Sequence, residues 1–361
     1  MRLKQIPEDF IVKEIPSVEP LGQGEHVWCT LKKRNWDLLK LVRLIAEMLH
    51  ISRNKISYAG TKDKVAITYQ TLSFFNVSPK QIKSLKVEGV EFSNFEYNQR
   101  ALQLGELKGN WFSITVRDLD AKYNNRFLDS RIKEIKENGV LNLFDTQRFG
   151  TRNITHLVGK EIIKGRIPEA VFLYLTKTNK DERPEIGKAR KFLEETENFP
   201  EAIKLFPKGS KWDIAILNHL ISNPEDYTGA IKTLPKTLQM MFVHAFQSYL
   251  WNMTAREYHK TNKKQTSLPI IGFNTKLGNA YIDKIIKKIL NKEKIKMEDF
   301  KIKDIPYLSS SGSSRDLLVF PEKIKYRLEK DELNKGKSKA IVEFELPKGS
   351  YGTLVVKEIF N

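Results

Sequence analysis

Cysteine is nearly absent from this chain, and histidine is scarce: one of the first, Cys29, and six scattered copies of the second among 361 residues. A lone cysteine cannot close an internal disulfide, and without HExxH or CxxC spacings a structural zinc site is not expected. Long apolar runs are missing too. The greasiest stretch, residues 38–49, is broken by Lys40, Arg43 and Glu47, so no segment suits a bilayer crossing. Residues 1–10 carry no apolar core behind their basic residues and do not read as a secretory signal, which leaves the cytoplasm as the expected location. No Gly-x-x-x-x-Gly-Lys-Ser/Thr loop is present, so ATP use is not indicated. An early strand followed by a glycine-rich cofactor loop, as a methyltransferase would need, is also not visible.

What is abundant is positive charge. Against 44 Asp+Glu stand 62 Lys+Arg, a formal net charge of +18. Such an excess repels itself in a compact state unless an anionic partner offsets it, and nucleic acid is the economical choice. A membrane surface and a merely lysine-rich composition remain as alternatives. The basic residues are spread along the chain and not gathered on one apolar-faced terminal helix, which disfavours the membrane. With 40% apolar residues the chain can bury a large core and form two domains.

Residues 10–15 and 26–31 read as strands separated by the turn-forming Gly22-Gln23-Gly24. A helix follows, with Asn35 as its cap, Asp37 in its first turn, and a core stripe of Leu38, Leu41, Val42, Ile45, Met48 and Leu49. Residues 56–59 read as a short buried strand, 60–64 as a tight loop and 67–75 as a β-branched and aromatic strand leaving it. Residues 111–116 and the terminal 354–359 also have strand composition, so the sheet draws on both ends of the chain. Between these, segments such as 188–195 and 285–290 favour helix and read as an inserted domain. The serine-rich run 309–314 suits a flexible return linker. No internal repeat is visible.

The local sequence with most chemical interest is Tyr58-Ala59-Gly60-Thr61-Lys62-Asp63-Lys64, where a buried strand delivers Gly, Lys and Asp into a turn that could present a carboxylate at a cleft edge. Spacing alone does not separate this from an ordinary capping aspartate. Taken one at a time, Phe10 and Phe112 read as core aromatics, Asn110 as a turn residue and Lys4 as a solvated charge.

Five segments together change that reading. Lys4 with Pro7-Glu8-Asp9-Phe10, the run 59–70 around Asp63, Leu107-Lys108-Gly109-Asn110-Trp111-Phe112, Phe144-Asp145-Thr146-Gln147-Arg148-Phe149-Gly150, and Leu346-Pro347-Lys348-Gly349-Ser350-Tyr351-Gly352-Thr353 resemble, in order, the motif set of the TruD family of tRNA pseudouridine synthases. The resemblance spans essentially the whole chain, in layout more than in motif across the inserted region. It implies a mixed α+β fold: a pseudouridine synthase catalytic domain with a curved antiparallel sheet over residues 1–155 and 319–361, and an inserted α/β TRUD domain over 156–318, with RNA between them.

The implied activity is isomerisation of one uridine, uridine 13 of the tRNA D-arm in this family, by a single aspartate. Asp63 falls at the catalytic position; Phe10, Asn110 and Tyr351 match substrate-contacting positions, Phe112 the aromatic that stacks on the target base, and Lys4 a basic neighbour that orients the carboxylate. Tyr351 departs from the Phe of some members, and its hydroxyl needs a partner if buried. Arg148 either braces the active-site loop or meets RNA, and residues 244–251 read as core packing of a helix. No cofactor and no metal are implied; the partner is tRNA, and the chain is expected to be a monomer. A non-catalytic RNA-binding protein of the same fold is the rival, and the intact Gly-x-Lys-Asp loop with its aromatics is the feature that discriminates against it.

Overall fold

The computed structural model describes residues 1–179, 182–262 and 264–361, and the chain divides into two compact units, Met1–Val140 with Val319–Asn361, and Leu141–Leu318. The first is built on a nine-stranded sheet: β1 (Arg2–Leu3), β2 (Phe10–Pro16), β3 (His26–Arg34), β4 (Ile56–Tyr58), β5 (Ile67–Phe75), β6 (Val90–Asn98), β7 (Leu107–Leu119), β8 (Glu322–Lys330) and β9 (Ser338–Pro347). Its order is β8-β9-β7-β2-β5-β3-β6, with β1 beside β7 and β4 beside β5. Every pairing is antiparallel except β2 with β5, which run parallel and place Val12 opposite Thr68. The mixed α+β fold and a sheet drawn from both chain ends are as expected.

Side chains alternate across a strand, so register decides which residues share a face. Phe344, Phe112, Val12, Thr68 and Lys33 are successive cross-strand neighbours and therefore lie on one side. Helices cover that side in two places. Over β9, β7 and β2, helices Asn125–Asn138 and Gly352–Phe360 close a cluster containing Phe10, Val12, Phe112, Ile114, Phe344 and Val356. Over β3 and β5, helix Leu38–Met48 closes a second cluster with Leu31, Leu72, Phe74, Leu41 and Ile45.

Two helix details differ from the sequence reading. The cap of Leu38–Met48 is Asp37, whose side chain accepts from the backbone N–H of Lys40, while Asn35 takes a left-handed turn conformation (φ 58°) that its short amide side chain tolerates. Residues 354–359 form no strand. Val355, Val356, Ile359 and Phe360 are buried on one side of the terminal helix, a helical spacing that prevails over their β-branched composition once that side has a sheet to cover.

The second unit is mainly helical, with helix Lys236–His259 burying Phe242, Phe246, Leu250 and Trp251, so residues 244–251 are core as expected. Its small sheet pairs Ser267–Ile270 with Ser313–Asp316. The serine run is therefore built into structure and is not a loose linker. Ser309 Oγ accepts from the Ile302 N–H (2.9 Å), Ser310 Oγ from Gln247 Nε2 (2.9 Å), and a Cβ on Gly272 would lie 2.2 Å from Gly312 N, so the two chain segments meet at backbone contact. Among the described residues, no helix is long and apolar enough to cross a membrane.

Candidate active site

Between its two hydrophobic clusters the covered face of the sheet carries polar side chains: Glu14 on β2, Thr68 and Gln70 on β5, Lys33 on β3 and Asn110 on β7. Acceptor atoms of three of them, Thr68 Oγ1, Gln70 Oε1 and Asn110 Oδ1, are buried without a hydrogen-bond partner. Such atoms cost about 1–3 kcal/mol each, and proteins keep them where a function needs them.

The segment joining β4 to β5, residues 59–66, is fixed to this strip at Gly60, Lys62 and Asp63. Ala59 O accepts from Gly105 N (2.7 Å) and Gly60 O from Gln70 Nε2 (3.0 Å). Lys62 Nζ pairs with Glu14 Oε2 at 2.7 Å, both side chains buried at 6% and 2% exposure, while Glu14 Oε1 accepts from the Thr71 N–H. Lys33 Nζ donates to Asp63 O and to Trp36 O, each at 2.8 Å. The Asp63 side chain then reaches out, 28% exposed, and its Oδ2 accepts from Lys4 Nζ at 3.0 Å. Three lysines thus hold the loop: one by the carboxylate, one by the main chain, one by the preceding residue.

Lys4 itself sits at φ 55°, a left-handed conformation that a non-glycine residue adopts at some cost, and its ammonium lies 3.9 Å from the centre of the Phe10 ring. Phe10 meets Phe112 edge to face, with centroids 6.2 Å apart, and Phe112 stacks on Phe344 at 5.5 Å. The structure therefore joins Asp63, Lys4, Phe10 and Phe112 in one chain of contacts. Asn110 lies on the same face of β7 as Phe112, opposite Glu14. Tyr351 precedes the terminal helix, whose first residue must be glycine, since a Cβ on Gly352 would come within 2.8 Å of the Phe112 ring. Phe10 and Phe112 are both core residues, Phe112 only 6% exposed, so the reading of each taken alone was sound as far as it went.

Burial pushes the Lys33 ammonium down to about 8, an effect that the nearby charges of Asp63 and Asp37 partly oppose. Lys33, Glu14 and Gln70 were missed by sequence reasoning. Lys32-Lys33-Arg34 looks like a solvated run, and only the period of two combined with a covered face marks Lys33 as the inward one. Arg148 lies in the second unit, where its Nε donates to Ser248 Oγ (3.1 Å).

The family model described as tRNA pseudouridine synthase D (TruD) matches residues 1–259 and 253–359. The chain belongs to this family of tRNA pseudouridine synthases, which are isomerases, as its motif segments led us to expect. A Methanosarcina acetivorans protein named "Probable tRNA pseudouridine synthase D" is 37% identical over 99% of this chain and 92% of its own length. One of the same name from Methanopyrus kandleri is 34% identical over 94% of this chain and 86% of its own. The crystal structure of a Methanosarcina mazei protein, described as "Putative tRNA pseudouridine synthase D (TruD)", superposes with a TM-score of 0.81 at 34% identity, covering 99% of this chain and 93% of that one.

Proposed function

We propose that this chain converts one uridine of tRNA, uridine 13 of the D-arm, to pseudouridine, with Asp63 as its catalytic carboxylate and the first unit as its catalytic domain. The observation that carries the reading is the placement of Asp63: a half-buried carboxylate held by Lys4 above a polar strip in an otherwise apolar sheet face. The reaction breaks the N1–C1′ bond, turns the uracil and joins C5 to C1′. One proton leaves C5 and one arrives at N1, so there is no net redox change and no energy donor is needed. Asp63 serves either by attacking a carbon or by removing a ribose proton, and both routes need one carboxylate oxygen free while Lys4 holds the other.

The target uridine must leave its stack to reach that oxygen. Phe10, Asn110 and Tyr351 are assigned to contact it. Phe112, with one face on Phe344, would meet the base through the part of its ring the cluster leaves uncovered. Lysines of the second unit, proposed as the inserted TRUD domain, would bind phosphates and make affinity fall with salt. The working form is taken to be a cytoplasmic monomer without cofactor.

The test is incubation of purified protein with unmodified tRNA transcripts, no cofactor added, followed by chemical mapping of pseudouridine, with Asp63→Asn in parallel. New pseudouridine only with the native aspartate, and tRNA binding retained by the variant, is the expected result. Tight binding with no modification of any tRNA would favour the non-catalytic RNA-binding protein instead.

A further inference from the structure

Lys33 is a fully buried charged group in the strip, and the fold alone does not require its burial. Its side chain is fully covered, between the helix Leu38–Met48 cluster and the Asp63 loop. Removing an ammonium from water costs several kcal/mol, and a methionine or leucine would fill the same volume without that cost. Among the described residues no carboxylate is within ion-pair distance of Lys33, and the nearby charges of Asp63 and Asp37 offset the cost only in part. The bonds of Lys33 go to two main-chain carbonyls, those of Trp36 and Asp63, each at 2.8 Å. Trp36 stands just before the first helix, whose cap Asp37 fixes the chain there. The ammonium therefore ties the Asp63 backbone to the start of the helix, while Lys4 holds the Asp63 side chain.

Building on the functional reading above, we propose that Lys33 is a positioning residue: it holds the main chain of Asp63 so that the carboxylate meets the flipped uridine at a fixed distance and angle. A backbone free to shift by about 1 Å at a reacting group costs on the order of 100-fold in rate. The depressed proton affinity of Lys33 fits a group retained against its own solvation; an apolar replacement removes that desolvation cost but leaves the Trp36 and Asp63 carbonyls without this donor, at about 1–3 kcal/mol each, so the two effects offset. This separates a positioning role from a structural one: loss of Lys33 should slow the reaction without a matching loss of stability or of tRNA affinity.

The experiment compares native protein with Lys33→Met and Lys33→Arg. It measures single-turnover pseudouridine formation at saturating enzyme, tRNA affinity by filter binding, urea midpoints, and hydrogen exchange of amides 60–66. The expected result is a rate reduced at least tenfold in Lys33→Met, a tRNA affinity within threefold of native, a little-changed urea midpoint and faster exchange in the loop. Lys33→Arg, which keeps donors near both carbonyls, should recover part of the rate. A Lys33→Met protein that turns over like native, or one whose rate falls only in proportion to unfolding, overturns the role; so does a rate order in which Met exceeds Arg. Native protein active with Lys33→Met equally active sinks the positioning role alone. Native protein inactive on all tRNAs sinks the functional reading and this inference together.

Discussion

Changing Glu14 to glutamine removes one charge and almost no volume, and the ion pair it belongs to is buried on both sides. Glu14 Oε2 and Lys62 Nζ are 2.7 Å apart. The glutamine keeps an oxygen to accept from the Thr71 N–H but leaves the Lys62 ammonium without its counter-charge. Breaking a buried pair in this way costs about 3–5 kcal/mol. Because Thr61 and Lys64 beside it are exposed, Lys62 can swing toward water at the cost of opening the loop, so the low end of that range, about 3 kcal/mol, is expected. Hydrogen exchange resolved by peptide suits a chain of two units, because it reports on each unit separately. Opening free energies in β5 should fall by about 3 kcal/mol while those of helix Lys236–His259 stay as in native protein. Adding Lys62→Met should restore most of the loss, since the lone charge is gone. A loss under about 1 kcal/mol, an equal loss in both units, or a double variant worse than the sum of the singles would refute the reasoning.

Three further outcomes follow from the same contacts. Phe112→Ala removes a ring stacked on Phe344 and packed against Gly352, so urea denaturation should show about 3–5 kcal/mol lost; at temperatures where the variant is folded, turnover should fall more than tRNA affinity, and equal losses would leave Phe112 only its core role. Burial alone would raise the Asp331 carboxyl, but bonds from Asp118 N, Asn334, Leu333 N and Arg117 hold it well below the usual range. A depressed folded-state value contributes stability that is complete above about pH 4 and lost as pH falls toward it, so the first unit should weaken on acidification and Asp331→Asn should flatten that slope in a pH series of urea midpoints. Burial likewise pushes the Cys29 thiol up, and a thiol-specific reagent should label it only after denaturation; rapid labelling of native protein would contradict its place in the core.

Much of the candidate site was legible because its sequence-read residues fall in four of the five motif segments, each a short continuous stretch of chain. Lys4, Phe10, Asp63 and Phe112 were picked out from those segments, and the structure joins them through direct contacts. Glu14, Lys33 and Gln70 were not, because each occupies the alternate position of an ordinary strand. Which face of that strand is covered depends on helices that arrive from distant sequence. The terminal helix was misread for a related reason. Val355 and Val356 carry a local preference for strand, and only the β7–β9 surface beneath them gives the helical spacing its value. The serine run was misread because small polar residues serve a close backbone approach as well as they serve a flexible tether.

The neighbour of β7 on one side is β9, and the ribosome makes the two far apart in time. Residues 141–318 form a contiguous unit that can complete itself during synthesis, whereas β7 must wait for the last strands of the chain. At roughly 5–20 residues per second that wait lasts on the order of tens of seconds. Through it, the strand that carries Asn110 and Phe112 keeps an open edge able to pair with another chain. Completion of the first unit is in this sense a late event in the life of the molecule, and a nascent chain halted within the second unit would carry the Asp63 loop without the strands that complete its sheet.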